Sequence, residues 1–258
     1  MTAPDTLSRP VLDFHARLAP DPAALERLLG RMRACRIERA VISAGGVISL
    51  EQLSRQLSQG GHVELDPDND AVLRAASRCP QALIPFFFAN PHRAAEDYRS
   101  RAAQFRGLEI SPAVHGVPFG DARVHALVDV ADEHGHSVYL VGLDRDGCRV
   151  ADLVVLARAH PSVSFVLGHG GVGDLDVHGL GMIAPVPNVL WETSGGYTCI
   201  TRMAVERLGP GRLLFGTEFP LQDPAVEFAR FACLDLSENV WRQVAWRNAH
   251  ELLGEDTR

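Results

Sequence analysis

Four polar residues at the ends of apolar runs carry the chemistry open to this chain. In VLDFHAR, His15 and Arg17 stand two residues apart; in SFVLGHGG, His169 ends another run; in RLLFGTEFP, Glu218 follows a third. Side chains at i and i+2 of a strand share a face, so His15 and Arg17 point the same way. Two histidines so spaced would clamp a metal. Here the second arm is a guanidinium, which has no lone pair to donate. His169 and Glu218 are of the types that move protons, and Arg17 is of the type that binds a carboxylate or polarises a carbonyl.

These residues need a frame that brings them together. Apolar runs rich in Val, Ile, Leu and Phe recur at 11–14, 39–45, 82–89, 107–111, 137–143, 162–168, 188–194 and 212–217. Runs without clean alternation suit strands buried on both faces. Between them, 21–36, 68–79, 121–135 and 149–161 have helical spacing, with Asp-Pro opening the first and Gly135 and Pro161 punctuating two ends. Eight strands alternating with helices predict an α/β fold, a single (β/α)8 TIM barrel over 1–258. An open doubly wound sheet is the alternative, but no G-x-G-x-x-G follows the first strand. The Gly- and His-containing stretch 56–66 is expected to be a mobile loop. Substrate specificity is expected from the loops 45–66, 111–120 and 170–186.

A barrel gathers its catalytic groups at the C-terminal strand ends. His15, Arg17, His169 and Glu218 then share one rim with Glu109, His115, Glu192 and Tyr197, which are expected to bind substrate. Bland readings exist for each. A histidine in a G-H-G-G turn can satisfy backbone carbonyls, Glu218 before Phe-Pro can cap a helix, and Glu109 and Glu192 can pair with arginines as scaffold. His92, His125, His134, His136, His160 and His178 read as surface or core residues. Placement of the first four on one rim favours a working pocket.

Composition narrows the partners. The chain has 258 residues, 46% hydrophobic, with a formal net charge of −7 and no basic block, which argues against nucleic acid or an anionic membrane as partner. Five scattered cysteines without C-x-x-C argue against a disulfide framework or structural zinc; most are expected to be buried thiols. MTAPDTLSRP lacks a leader's apolar core and no run approaches 18 apolar residues, so a cytoplasmic protein is expected. A homodimer is possible, with the helix of Trp241 and Trp246 as either interface or core.

Taken in order, these segments resemble the amidohydrolase superfamily, in its amidohydrolase-related, decarboxylase-like branch of metal-dependent hydrolases. VLDFHARL is similar to that family's D-x-H-x-H strand, FANPHRA to its turn after strand 3, GLEISP to its G-(V/I)-K-(L/I)-x-P strand, and HSVYLVG to its strand 5. SFVLGHGG, NVLWETSG, RLLFGTEFP and NAHELLG follow the family's strands 6 to 8 and its C-terminal helix. The resemblance implies a TIM barrel and hydrolase or lyase activity on small molecules. The departures fall on the family's metal ligands: the second histidine of strand 1 is Arg17, the strand 5 histidine is Val141, the strand 8 aspartate is Glu218, and the strand 4 lysine is Glu109.

Two chemistries follow from that pattern. In the favoured one no cofactor is bound: Arg17 takes the metal's place, pairs with Glu218, and His169 or Glu218 acts as acid or base on a small organic acid, lactone or amide. In the other, His15, His169 and Glu218 hold a single Zn or Mn, with Arg17 as a repulsive neighbour. A pseudoenzyme that binds a ligand or a partner protein is a third possibility.

Overall fold

The computed structural model describes residue 7 and residues 10–255; most of MTAPDTLSRP, on which the expectation of no leader rests, lies outside them. Among the described residues the strands are β1 (Leu12–Leu18), β2 (Arg39–Ala44), β3 (Leu83–Pro85), β4 (Phe87–Phe88), β5 (Gly107–Ile110), β6 (Ser137–Leu140), β7 (Phe165–Leu167), β8 (Val189–Glu192) and β9 (Leu213–Leu214). All pair in parallel, in the orders β1-β2-β3 and β4 through β9.

Nine strands fill eight positions. The run at 82–89 is two short strands, because Pro85 brings no N–H to the ladder. Across that break the Phe86 N–H donates to the Ile42 carbonyl (2.9 Å) and the Arg106 N–H to the Pro85 carbonyl (2.9 Å), so the segment still joins β2 to β5. The ring closes between the chain's first and last strands. Phe14 N–H donates to Phe215 O (2.8 Å), Glu218 N–H to His15 O (2.8 Å) and Arg17 N–H to Phe219 O (2.7 Å), and Ala16 bridges Phe219. The fold is the expected (β/α)8 barrel.

Strand residues are buried on both faces. Leu12, Phe14, Val41, Ile84, Phe86, Tyr139 and Val166 fill the interior, with Phe14 and Phe86 edge to face at 5.7 Å. The opposite faces pack against helices Ala24–Cys35, Asn69–Arg78, Ala122–Glu133 and Val150–Ala159, which fall in the four segments with helical spacing. Trp241 is core rather than surface, edge to face with Phe215 at 5.4 Å and tilted against Phe231 at 5.1 Å. The cysteines are free, but only Cys35 and Cys148 are buried; Cys79 is intermediate, and Cys199 and Cys233 are exposed at helix ends. No described helix is long and apolar enough to cross a membrane.

The stretch expected as a loop from 56 begins inside a helix, Leu50–Gln59, started by the Ser49 hydroxyl accepting from Gln52 N–H (3.2 Å). It buries only Gln56, whose amide donates to the Ala113 and Val114 carbonyls at 2.7 and 3.1 Å. Its leucines face the barrel mouth instead of the core.

One buried histidine away from that mouth couples stability to pH. His136 Nδ1 lies 2.6 Å from the Tyr98 hydroxyl. Burial, with the charges of His134 and Arg106, pulls its imidazole down to about 4 from an ordinary 6.5. Protonation therefore favours the unfolded chain: His136's contribution is intact above pH 6.5 and declines as pH falls toward 4. Urea midpoints measured across that interval should fall more steeply for the wild type than for His136→Gln. Parallel slopes would refute the assignment.

Candidate active site

On β1, whose pairing register shifts between Asp13 and Ala16, His15 and Arg17 stand two residues apart on the inner face. Asp13 ties this strand to the last one: its carboxylate accepts from His15 N–H (3.1 Å), Thr217 N–H (2.9 Å) and the Thr217 hydroxyl (2.5 Å). Burial raises the Asp13 carboxyl to about 7, against the lowering pull of those donors. Glu218 and His169 follow their strands in the left-handed region, at φ 54° and 57°. Non-glycine residues pay strain there, and such residues collect at functional sites.

The His15 ring stacks on Tyr139 (centroids 4.1 Å, planes 9° apart) and meets His169 edge to face at 5.2 Å. Its Nε2 is buried and has no hydrogen-bond partner. Burial, then the charges of Arg17 and His169, hold this imidazole well below its ordinary value, so it is neutral. His169 Nδ1 stands 3.1 Å from Glu218 Oε2 and 3.2 Å from the Ser194 hydroxyl. Burial disfavours charge on both partners, yet each raises the other's ionisation: His169 lies above its usual value and Glu218 below.

Arg17 does not pair with Glu218, as the sequence suggested. Its Nη2 closes on Glu109 Oε1 at 2.5 Å, and the guanidinium sits 5.4 Å over the Phe88 ring. Glu109, on the inner face of β5, is 1% exposed and needs a cation. Thus the substitution at the strand 4 position, rather than the one on strand 8, matches Arg17. Its charge is neutralised within the barrel wall, which weakens the repulsion that argued against a metal.

Among the residues expected to bind substrate, Glu192 is fully buried. It accepts from the Tyr139 hydroxyl (2.7 Å), the Ser194 hydroxyl (2.9 Å), His169 N–H (3.1 Å) and Ser194 N–H (2.5 Å). It thereby orients the His169 backbone. A methyl at Gly168 would overlap the Tyr139 hydroxyl and one at Gly216 would overlap the Glu192 carboxylate, so two glycines make room for this pair. His115 is buried with Nε2 3.0 Å from the Leu65 carbonyl, and Tyr197 is 57% exposed. Among the described residues, none of Glu109, His115, Glu192 and Tyr197 lines the cavity over the strand ends.

That cavity has a volume of about 1010 Å³. Arg17, His169, Glu218, Asp144 and Asp174 supply its charged or titratable groups, beside Ser111 and Val141; Leu50, Leu53, Leu57, Leu143 and Leu221 supply apolar wall. Tyr139 and Asp13 escaped the sequence reading. For Tyr139 the signal was present, since it lies two residues before Val141 and so shares its face; for Asp13 it was not, because the register of β1 shifts between it and Ala16.

The donor atoms of His15, His169 and Glu218 lie within 4.8 Å of one another. Two imidazoles and a carboxylate suit zinc or manganese, with room for water or substrate at the open positions. The orphaned His15 Nε2 supports that fit, because a buried polar atom normally has a partner.

A family model described as Amidohydrolase matches residues 12–254. No curated protein matches the chain. Among solved structures, 5-carboxyvanillate decarboxylase from Novosphingobium aromaticivorans, with bound manganese and 3-methoxy-4-hydroxy-5-nitrobenzoic acid, is similar at TM-score 0.72 and 14% identity, covering 98% of this chain and 99% of that one. A 2,6-dihydroxybenzoate decarboxylase from Rhizobium gives 0.69 and 15%, covering 96% and 99%. A protein described as a probable 2-pyrone-4,6-dicarboxylic acid hydrolase from Acinetobacter baumannii, with citric acid bound, gives 0.71 and 15%, covering 95% and 99%. At these identities the likeness carries the fold.

Proposed function

This chain belongs to the amidohydrolase family, and we propose that it is a hydrolase or carbon–carbon lyase acting on a small organic acid, lactone or amide, with one divalent ion of the zinc or manganese kind held by His15, His169 and Glu218. The buried His15 Nε2, without a protein partner, on a residue whose donor atom lies within 4.8 Å of those of His169 and Glu218, carries this reading. The manganese in the Novosphingobium decarboxylase is in keeping with it. When bound, such an ion supplies Lewis-acid polarisation of an oxygen in its coordination shell.

The chain's own residues supply the rest. Arg17 lines the cavity with one edge tied to Glu109, which leaves further N–H groups to receive a substrate carboxylate. Glu218 Oε2 and His169 Nδ1, 3.1 Å apart, are close enough to share a proton that either passes to or from a substrate atom in the cavity. Ser194 and Glu192 fix His169 for that transfer. The leucine wall lowers water access to the reacting groups and strengthens each electrostatic contact made there.

The 3.1 Å contact of His169 with Glu218 supports a second reading, in which these two act as acid and base and no metal takes part. Elemental analysis of protein purified without chelator separates the two. The first expects near-stoichiometric zinc or manganese, and turnover across a panel of aromatic acids, lactones and amides that a chelator abolishes and the ion restores. Metal-free protein whose turnover ignores chelator sinks it in favour of the second.

A further inference from the structure

We propose that His62, Glu64 and His92 form a second, surface site for a divalent transition-metal ion of the zinc type, apart from the cavity. Their donor atoms lie within 4.8 Å of one another, and none of the three lines the cavity. The residues come from two separate segments, 62–64 and the turn at 90–93, so an ion there would join them.

The half of the site contributed by His92 is already organised for a ligand. His92 Nε2 lies 2.8 Å from the His115 carbonyl, which only accepts, so the ring proton is on Nε2 and Nδ1 bears the lone pair. A ligating histidine typically has its other nitrogen anchored in this way. Nδ1 faces Glu64 Oε1 at 3.7 Å, and the His62 ring stacks on the His92 ring with centroids 5.2 Å apart. His62 and Glu64, at i and i+2 of an extended stretch, project from one face.

The backbone beneath them is fixed. Val63 N–H donates to Val114 O (3.0 Å), the Asn90 amide donates to Glu64 O (3.0 Å), and Arg93 Nε donates to Asp66 (2.8 Å). Gly116, at φ +68°, has no Cβ where one would press into His62. The side chains of His62 and Glu64 are exposed. A tetrahedral ion with Zn–N bonds near 2.0–2.1 Å needs donors roughly 3.3 Å apart, a contraction these exposed arms can make. One competitor is present: Arg123 Nη1 reaches His92 Nδ1 at 3.4 Å. That contact is long, and Arg123 is already engaged by Asp121 at 2.9 and 2.7 Å, so the ion displaces only its weakest bond.

Tag-free protein titrated with zinc against a chromophoric chelator tests the proposal, with cobalt absorption reporting tetrahedral geometry. The wild type should take up a surface equivalent that His62→Ala and Glu64→Gln each lose while turnover is unchanged. His15→Ala should keep that equivalent whether or not the barrel site holds an ion. The proposal is overturned if the wild type takes up nothing beyond what His15→Ala loses. It is equally overturned if both surface variants, shown to be folded by circular dichroism, bind zinc as the wild type does.

Discussion

Glu218→Gln lowers kcat/KM by about 10³-fold while the protein stays folded, an effect within the range expected for loss of a positioned acid–base group together with a metal ligand. Glutamine keeps the shape and the backbone bond from residue 218 N–H to the His15 carbonyl, so the barrel seam survives. What it loses is charge. The carboxylate beside His169 is the main influence opposing burial and holding that imidazole above its usual value, and the amide cannot replace it. The amide oxygen is also a poorer ligand for a divalent ion, so elemental analysis of the variant should show a parallel loss of zinc or manganese. Steady-state kinetics on the best substrate of the panel checks the first expectation. A variant within about tenfold of wild type would remove Glu218 from both readings of the mechanism.

Arg17→Met has the largest expected effect on stability, about 3–5 kcal/mol, because it leaves the Glu109 carboxylate uncompensated inside the barrel wall. Its activity should fall as well, through loss of the guanidinium that lines the cavity. The two losses come apart in the double variant Arg17→Met with Glu109→Gln. Removing the orphaned charge should restore much of the stability, read as the urea midpoint, while turnover stays low. If the single variant is as stable as wild type, the ion pair is not what holds this part of the wall. If the double variant regains turnover, Arg17 has no part in substrate binding. Arg17→Lys is not a mild control, since an ammonium cannot hold Glu109 and a substrate carboxylate in the same planar arrangement.

The barrel was legible because strands covered on both faces leave near-continuous apolar runs, and those runs repeat here at barrel intervals. The convergence of His15, Arg17, His169 and Glu218 was legible for the same reason: strand ends in such a fold share one rim. The partner of Arg17 was not. Strand order places β1 and β5 apart in the ring, and a contact across its interior depends on side-chain length and direction, which spacing along the chain does not encode. Helix Leu50–Gln59 was missed because its leucines face a cavity instead of the core, so its apolar pattern was read as part of a loop. Glu192 looked like a substrate contact by its place at a strand end. Its four donors, two from Ser194 just after it and one each from His169 after β7 and Tyr139 on β6, show how a buried carboxylate can be satisfied without any ligand.

The hydrogen bonds joining the first strand to residues 215–219 have a consequence for the order in which this molecule acquires its chemistry. His15 and Glu218 lie some two hundred positions apart, yet the N–H of one residue rests on the carbonyl of the other. A nascent chain therefore carries no pocket until nearly all of it has been made, and a C-terminally clipped one never acquires it. Contacts of such long sequence separation form slowly, because the loop they close is almost the whole protein. Whatever ligand settles between those residues acts as a rivet across the two ends of the chain, stabilising only molecules that have already closed the circle.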